Sequence, residues 1–416
     1  MKFLLLTNND TDGVGQQAIS LGSHLEKKGH KSKIVVLHKT KENSNLIKIN
    51  RSFASRSLLY LLNFLKKDFF GLFSFGHSTV NYDDLKYYVN ESDVVIIYSL
   101  YKMISNKMLN DILQTKKVVY FRPLDMELIT GGCHANIDSA NKICQNFKTD
   151  CNNCPLLHFS DIFNLAKKNL IAKKDIFLRN KPRIFVPNTF AKEYFVKSRI
   201  FNNFKTQTVF SSTDLKRVVF YSKKNARKKL KIDQKSKILL FISFDLDSPH
   251  KGGLLLKESL KMLTSKIKGD KSSKICLITV GRKNSFTFDN IGLEWKHLGL
   301  ISSIKKLNLL YRASDLLVCP STYDTGPHCV TEALLNDLPV VAFKQGVAKD
   351  TVVNGGNGYL VPCFDKIAFS KAIFKVLYQN KNKKNLSKVK KIKSLFHPLN
   401  EANTIINLAK KDLRKI

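Results

Sequence analysis

The sequence predicts an α/β protein built from two successive parallel-sheet units. Short apolar runs alternate with stretches of helical periodicity, the pattern of strand-helix-strand units. The alternation starts afresh after a polar break at Phe201-Asn202-Asn203. The 416 residues suit two domains of ordinary size.

Lys2 to Leu6 reads as the first strand. A polar loop, Asn8 to Gly15, leads into a helix from Gln16 to Lys28 that ends at Gly29, and Lys33 to Leu37 is the next strand. Further strands are expected at Asp93 to Tyr98, Lys117 to Phe121 and Arg183 to Val186. The second series has strands at Ile238 to Ser243, Ile275 to Val280, Leu316 to Cys319 and Pro339 to Ala342. The expected architecture is two Rossmann-like domains facing a cleft, residues 1–203 and 204–416, with the terminal helices packing back on the N-terminal domain. There is no internal repeat, and the run from Lys381 to Lys393 reads as a solvated helix face or loop.

With 43% hydrophobic residues each half can bury a core without a covalent staple. The longest apolar stretch, Ser57 to Leu65, is broken by Asn63 and is too short to cross a bilayer. Met1 to Thr7 reads as a strand and not as a leader, so a cytoplasmic location with eight reduced cysteines is expected. The net charge of +37 predicts attraction to polyanions, with an anionic membrane surface favoured over nucleic acid. Compositional drift in a chain rich in Lys, Asn and Ile is the alternative. Arg56 to Phe75 joins Leu58, Leu59, Leu61, Leu62, Phe64 and Leu65 to Arg56, Lys66 and Lys67. It reads either as a helix dipping into the membrane interface or as an ordinary core-facing helix.

The segment richest in chemistry runs from Cys319 to Leu335 as strand, loop and helix. The helix should begin at Pro327 or His328, and its free amides then favour a phosphate in the loop before it. Asp324 and Glu332 are separated by seven residues, one in the loop and one in the first turns. Carboxylates hydrogen-bond strongly to sugar hydroxyls, although acids are also common at ordinary helix starts. Gly13-Val14-Gly15 after the first strand lets backbone approach a phosphate or acceptor, but it lacks the three-glycine dinucleotide pattern. Cys133, Cys144, Cys151 and Cys154 have spacings of ten, six and two, which suits a tetrahedral zinc set. His134 and His158 are substitute ligands. Reduced buried thiols, or a disulfide, are the alternatives. Asp10-Thr11-Asp12 and Asp245-Leu246-Asp247 read as loop or capping chemistry rather than metal ligands.

These residues together resemble family 4 glycosyltransferases, from Met1 to about Leu408. The Asp324 to Glu332-Ala333 segment is similar to that family's acidic motif of Glu, seven residues, Glu-Ala. The likeness continues through Leu338-Pro339-Val340-Val341, Gly346, Asp350 and Gly358-Tyr359-Leu360, and through Tyr311-Arg312-Ala313-Ser314-Asp315 before it. The resemblance implies a GT-B fold and a nucleotide-sugar donor. It places Glu332 on the nucleotide ribose and Asp324 on the donor sugar, with an acid one methylene shorter than usual. His250-Lys251-Gly252-Gly253 resembles an Arg-Lys-Gly element whose Lys neutralises the donor diphosphate, so Lys251 takes that role and His250 stands for the Arg. Gly13 and Gly15 match a glycine loop. Gly326, Pro327, His328, Val330 and Thr331 line the donor site.

Leu124 to His134 and the four cysteines resemble an insertion, about residues 124–158, found in enzymes that build exopolysaccharide and O-antigen. Leu124 stands where relatives carry a His, whereas Asp125, Thr130, Gly131 and Gly132 are kept, and Asp125 is the acceptor-side catalytic candidate. The implied activity is transfer of a hexose, with retention, to a glycan or lipid-linked acceptor. No cofactor is required for catalysis, and any zinc would be structural. The rival readings are an inactive glycosyltransferase-like scaffold and a nucleic-acid-binding protein with a zinc module. No aromatic-basic recognition motif supports the latter.

Overall fold

A computed structural model describes the chain except residues 68–71, 138–141, 213–220, 268–273 and 380–385. The first five residues of the expected Lys-rich tail therefore lie outside the described residues. Two compact units emerge, Met1–Ser212 with Pro398–Ile416, and Thr213–His397.

The first unit contains β1 (Lys2–Leu6), α1 (Gly13–Lys27), β2 (Lys31–Val36), β3 (Leu46–Lys48), α2 (Phe53–Asn63), α3 (Tyr82–Asn90), β4 (Val94–Ile97), α4 (Asn106–Leu113) and β5 (Val118–Phe121). It continues with α5 (Ser160–Phe163), α6 (Leu165–Asn180), β6 (Arg183–Val186), α7 (Thr189–Lys197) and β7 (Thr206–Thr208). Its sheet has the order β3-β2-β1-β4-β5-β6-β7. The described pairings are parallel, and β1 lies between β2 and β4. Because β7 pairs with β6, this unit runs on to Ser212, past the boundary at residue 203 read from the sequence.

The second unit contains α8 (Lys223–Lys229), β8 (Lys237–Asp245), α9 (Gly253–Ile267), β9 (Ile275–Arg282), β10 (Glu294–His297), α10 (Ile304–Ala313) and β11 (Leu316–Cys319). It ends with α11 (His328–Leu335), β12 (Val340–Phe343), α12 (Ala348–Thr351), β13 (Gly358–Val361), α13 (Lys366–Phe374) and α14 (Leu386–Leu395). Its sheet order is β10-β9-β8-β11-β12-β13. The last helix, α15 (Pro398–Leu413), belongs to the first unit, whereas α14 stays with the second.

Burial explains both sheets. Leu5, Ile34, Ile96, Tyr120 and Phe185 of the first sheet pack with Leu21 and Leu25 of α1 and with Ala402, Ile405 and Ala409 of α15. In the second unit Leu239, Phe241, Leu277 and Val341 pack with Leu256, Leu260 and Leu263 of α9 and Phe369 of α13. Burying each large apolar side chain stabilises by about 1.5–3 kcal/mol.

Two local expectations change. The α1 helix starts at Gly13, because the Asp12 carboxylate accepts from the Gly15 amide at 2.7 Å and caps it there. Gly13 and Gly15 therefore lie in the first turn and not in a loop. A Cβ on Gly15 would stand 1.9 Å from the Asn9 carbonyl oxygen, so this glycine serves the close approach of helix and loop. The second concerns Arg56 to Phe75, of which residues 68–71 lie outside the described residues; among the rest the helix is Phe53–Asn63, and it turns most of its apolar side chains outward, with Leu59 buried. Among the described residues no helix is long and apolar enough to cross a membrane.

Candidate active site

Both sheets reverse strand order beside their first strand, and ligands of such sheets bind beyond the carboxyl ends of the strands at that point. In the second unit the reversal lies between β8 and β11. The loop after β8 carries His250 and Lys251, and the loop after β11 carries Asp324. The two sequence candidates meet there: Lys251 Nζ lies 2.6 Å from Asp324 Oδ2.

Close backbone approach holds the loops in place. Gly252 has φ +74°, and a Cβ there would fall 1.9 Å from the Pro320 carbonyl oxygen. Gly346, at φ +48°, would place a Cβ 2.2 Å from the Asp324 carbonyl oxygen. The Thr322 amide donates to the His250 carbonyl at 2.9 Å. The Gly326 amide donates to Asp324 Oδ1 at 3.0 Å. Burial alone would raise the Asp324 carboxyl, but Lys251 and the Gly326 amide hold it below its ordinary value. Burial likewise opposes the charge on Lys251, and Asp324 more than reverses this.

His250 behaves unlike the arginine it stands for. Burial, then the neighbouring Lys251 charge, pushes it down to about 4, so it is neutral at neutral pH. Its Nδ1 is 3.1 Å from the Ser248 hydroxyl.

The α11 helix begins at His328 with Pro327 as its N-cap, where the sequence placed it. Val330 is fully buried and its amide bonds the Pro327 carbonyl at 3.0 Å. Thr331 is buried and its hydroxyl donates to the His328 carbonyl at 2.9 Å. Glu332 is half-buried, and its Oε2 accepts from the Tyr311 hydroxyl at 2.8 Å. Tyr311 is therefore a positioning residue, quoted in the sequence only as part of a motif. Cys329 is another feature that sequence reasoning missed. The Cys319 thiol beside it, burial, and the charges of Asp324 and Glu332 push its thiol well up. Both carboxylates thus act on one point in the first turn of α11.

In the first unit, Asp125 follows β5. Its Oδ2 accepts from His134 Nδ1 at 2.7 Å, and its Oδ1 accepts from the Glu127 amide at 2.9 Å. His134 Nε2 lies 3.2 Å from the Ser74 hydroxyl. Burial would lower His134, but Asp125 and Glu127 beside it hold it above its ordinary value. Buried Glu127 accepts from the hydroxyls of Ser74 and Ser99 and from the Leu100 amide. Buried Lys173 donates to the Glu127 and Thr130 carbonyls, each at 2.6 Å. An imidazole thus stands on Asp125, supplied by His134. Leu124, at the position where relatives carry a His, packs against the core of the unit.

Asp125, Glu127 and His134 have potential ligand atoms within 4.8 Å of one another. They satisfy each other by hydrogen bonds, which accounts for their closeness without an ion. Both Asp-x-Asp triplets act in loops. Asp12 caps α1, and Asp10 accepts from the Thr40 and Lys41 amides at 2.7 Å. Asp247 accepts from the amides of Asn284, Ser285 and Phe286, which hold it down at about 2 although burial opposes this. Cys133, Cys144, Cys151 and Cys154 are not joined in disulfides.

Residues 222–393 match the family model described as glycosyl transferases group 1. No curated protein matches the chain. Solved structures match its whole length. Sucrose-phosphate synthase from Thermosynechococcus elongatus has a TM-score of 0.69 at 16% identity, covering 100% of each chain. HepE of Anabaena in complex with UDP-glucose has a TM-score of 0.63 at 13% identity, again covering 100% of each chain. WaaG, a glycosyltransferase involved in lipopolysaccharide biosynthesis, has a TM-score of 0.61 at 13% identity, covering 100% of this chain and 99% of its own. At such identities the structures speak for the fold, two Rossmann-like halves as in GT-B glycosyltransferases. Residues 222–393 form a glycosyl transferases group 1 domain, and by that domain the chain is a glycosyltransferase.

Proposed function

We propose that the enzyme moves a hexose from a nucleoside-diphosphate sugar to a glycan or lipid-linked acceptor, with retention, in the building of a cell-surface polysaccharide. The observation that carries this is the Lys251–Asp324 pair at the switch point of the second sheet. Lys251 stabilises the diphosphate as negative charge develops on it, and the amides opening α11 add their dipole. Asp324 receives hydroxyls of the donor sugar, and Glu332, steadied by Tyr311, receives those of the ribose. Asp125, oriented by His134, faces the acceptor. Catalysis then rests on positioning and diphosphate stabilisation, with no cofactor in the reaction. The cysteine-bearing segment supports placement with the family 4 enzymes of exopolysaccharide and O-antigen assembly.

HepE was solved with UDP-glucose, so UDP-sugars are the first donors to test, followed by GDP- and ADP-sugars. A donor at 100 times its Kd stabilises the folded state by about 2.7 kcal/mol, which thermal unfolding detects. A protein that none of these donors stabilises would count against the proposal. Glu332→Ala is expected to weaken donor binding by about 1.5–3 kcal/mol through loss of a charged hydrogen bond. An unchanged donor Kd by calorimetry would remove Glu332 from the ribose.

A peripheral place on the cytoplasmic face of an anionic membrane suits a lipid-linked acceptor. On α2 and just after it Phe53, Tyr60, Leu61 and Phe64 are 81, 67, 64 and 67% exposed. Arg51, Arg56 and Lys102 line the adjoining hollow. Lys66, just after α2, bridges to Leu157, and Phe159, Ile162 and Phe163 close behind Leu157 in the chain are exposed as well. Each basic residue near an anionic leaflet contributes roughly 1 kcal/mol. Co-sedimentation with phosphatidylglycerol vesicles is expected at low salt, released by high salt and weakened in Leu61→Ser/Phe64→Ser. Equal pelleting of wild type and variant would separate the surface from any binding seen.

A further inference from the structure

We propose that Cys133, Cys144, Cys151 and Cys154 bind one zinc ion as a structural tetrathiolate site. The proposal stands independently of the transferase reading. The four cysteines are spread over 22 positions, yet all line a single cavity of about 10 Å³. That is the room of one small ion or one water. Carbon from Phe73, Phe147, Leu156 and Ala166 forms much of the remaining wall. A water there would lack the two to four polar partners that hold buried water. Four sulfurs suit a soft or borderline cation and exclude magnesium and calcium, which take oxygen ligands.

A backbone amide already points at one of the sulfurs. The Gly131 amide donates to Cys151 Sγ at 3.2 Å. Such a donor matches a thiolate, since hydrogen bonds to a charged acceptor are about twice as strong as neutral ones. It also acts as the outer shell that orients a metal ligand. The Leu157 amide donates to the Cys154 carbonyl at 3.2 Å and closes the turn that carries this cysteine. The Cys151-Asn152-Asn153-Cys154 turn is bent back by left-handed backbone at Cys151 (φ +55°) and Asn153 (φ +46°). Asn146 pins this turn: its carbonyl accepts from the Cys151 amide at 2.9 Å, and its side chain donates to the Asn152 carbonyl at 2.9 Å. Two non-glycine residues in that region are strained, and metal coordination would offset that strain.

The four sulfurs are spaced more widely than the Asp125, Glu127 and His134 ligand atoms, which fall within 4.8 Å of one another. Zinc draws thiolates to about 2.3 Å, so binding closes the turn onto the cavity. His134 is excluded as a ligand because both ring nitrogens are engaged, by Asp125 and Ser74. His158 does not line the cavity. The ion would fasten the segment after Thr130, whose hydroxyl donates to the Cys133 carbonyl at 2.6 Å, and so steady His134 against Asp125.

The test uses the full chain, purified without a histidine tag or chelator. Elemental analysis should give one zinc per chain, falling to below a tenth of that in Cys151→Ser/Cys154→Ser. Should that variant fail to fold, cobalt exchange into the wild type still decides. Tetrahedral thiolate ligation gives intense sulfur-to-cobalt charge-transfer bands in the near ultraviolet, with visible d–d bands. Metal-free folded protein with all four thiols reactive overturns the site. So does a cobalt spectrum without thiolate bands, or a metal kept by the double variant and lost in His134→Asn.

Discussion

Lys251→Ala is expected to lower turnover by about 10²–10³-fold, the scale seen when one donor is removed from a site of developing negative charge. Lys251→Arg should lose much less, because charge at the diphosphate matters more than the shape of the head group. The alanine variant carries a second penalty. It leaves the half-buried Asp324 without the ammonium now 2.6 Å away. With Lys251 present the Asp324 carboxyl is depressed, so its stabilising contribution is fully present above the unfolded value of 3.8 and is lost as pH falls through the lower folded value. Without Lys251, burial is the largest remaining influence and raises that carboxyl. The acid limb of the pH–rate profile should therefore move to higher pH in Lys251→Ala. Asp324→Asn in the same background should abolish that movement. Steady-state assays with the donor found by thermal unfolding check both points. Full activity in Lys251→Ala and Lys251→Arg alike would remove Lys251 from the donor diphosphate.

The central strands were legible because parallel strands covered on both faces read as continuous apolar runs. Arg183–Val186 and Leu316–Cys319 fall where the sequence put them. The outer strands were not. Glu294-Trp295-Lys296-His297 alternates between exposed and half-buried, and Thr206-Gln207-Thr208 is polar throughout, so neither reads as a buried run. Lys251 and Asp324 were legible as candidates at loops after strands, and Glu332 as one in the helix that follows. Their partners were not, because the pairs are distant in sequence. Lys251 and Asp324 lie 73 positions apart, and Tyr311 and Glu332 lie 21 apart on different helices. The neutrality of His250 follows from burial beside Lys251, and residue order alone does not reveal burial. The outward face of α2 is hidden from the sequence for a similar reason: periodicity shows that a helix has an apolar face, but not whether anything covers it.

Glu401→Ala is expected to destabilise the first unit by about 3–5 kcal/mol, the cost of leaving one member of a buried ion pair alone. The side chains of Arg122 and Glu401 are 0 and 1% exposed, with Arg122 Nε 2.9 Å from Glu401 Oε1. The other carboxylate oxygen accepts from the Ser212 amide at 2.9 Å and its hydroxyl at 3.0 Å. Arg122 also donates to the Phe185 carbonyl at 3.1 Å and the Ser211 hydroxyl at 3.0 Å. One carboxylate therefore ties α15 both to the residue after β5 and to the last residues before the second unit. Alanine strands the guanidinium in the core and leaves the Ser212 amide without its acceptor. For a unit of this size the Tm of its transition should fall by roughly 6–20 °C. Arg122→Met/Glu401→Leu removes both charges at similar volume and should cost far less than the single change. The half-exposed pair Arg183–Asp412, which also joins α15 to the sheet, supplies the control. Asp412→Asn should shift Tm less, because water screens a pair that it can reach. If Glu401→Ala shifts Tm no more than Asp412→Asn does, α15 is held by its apolar face against Leu21 and Leu25 and not by the buried pair.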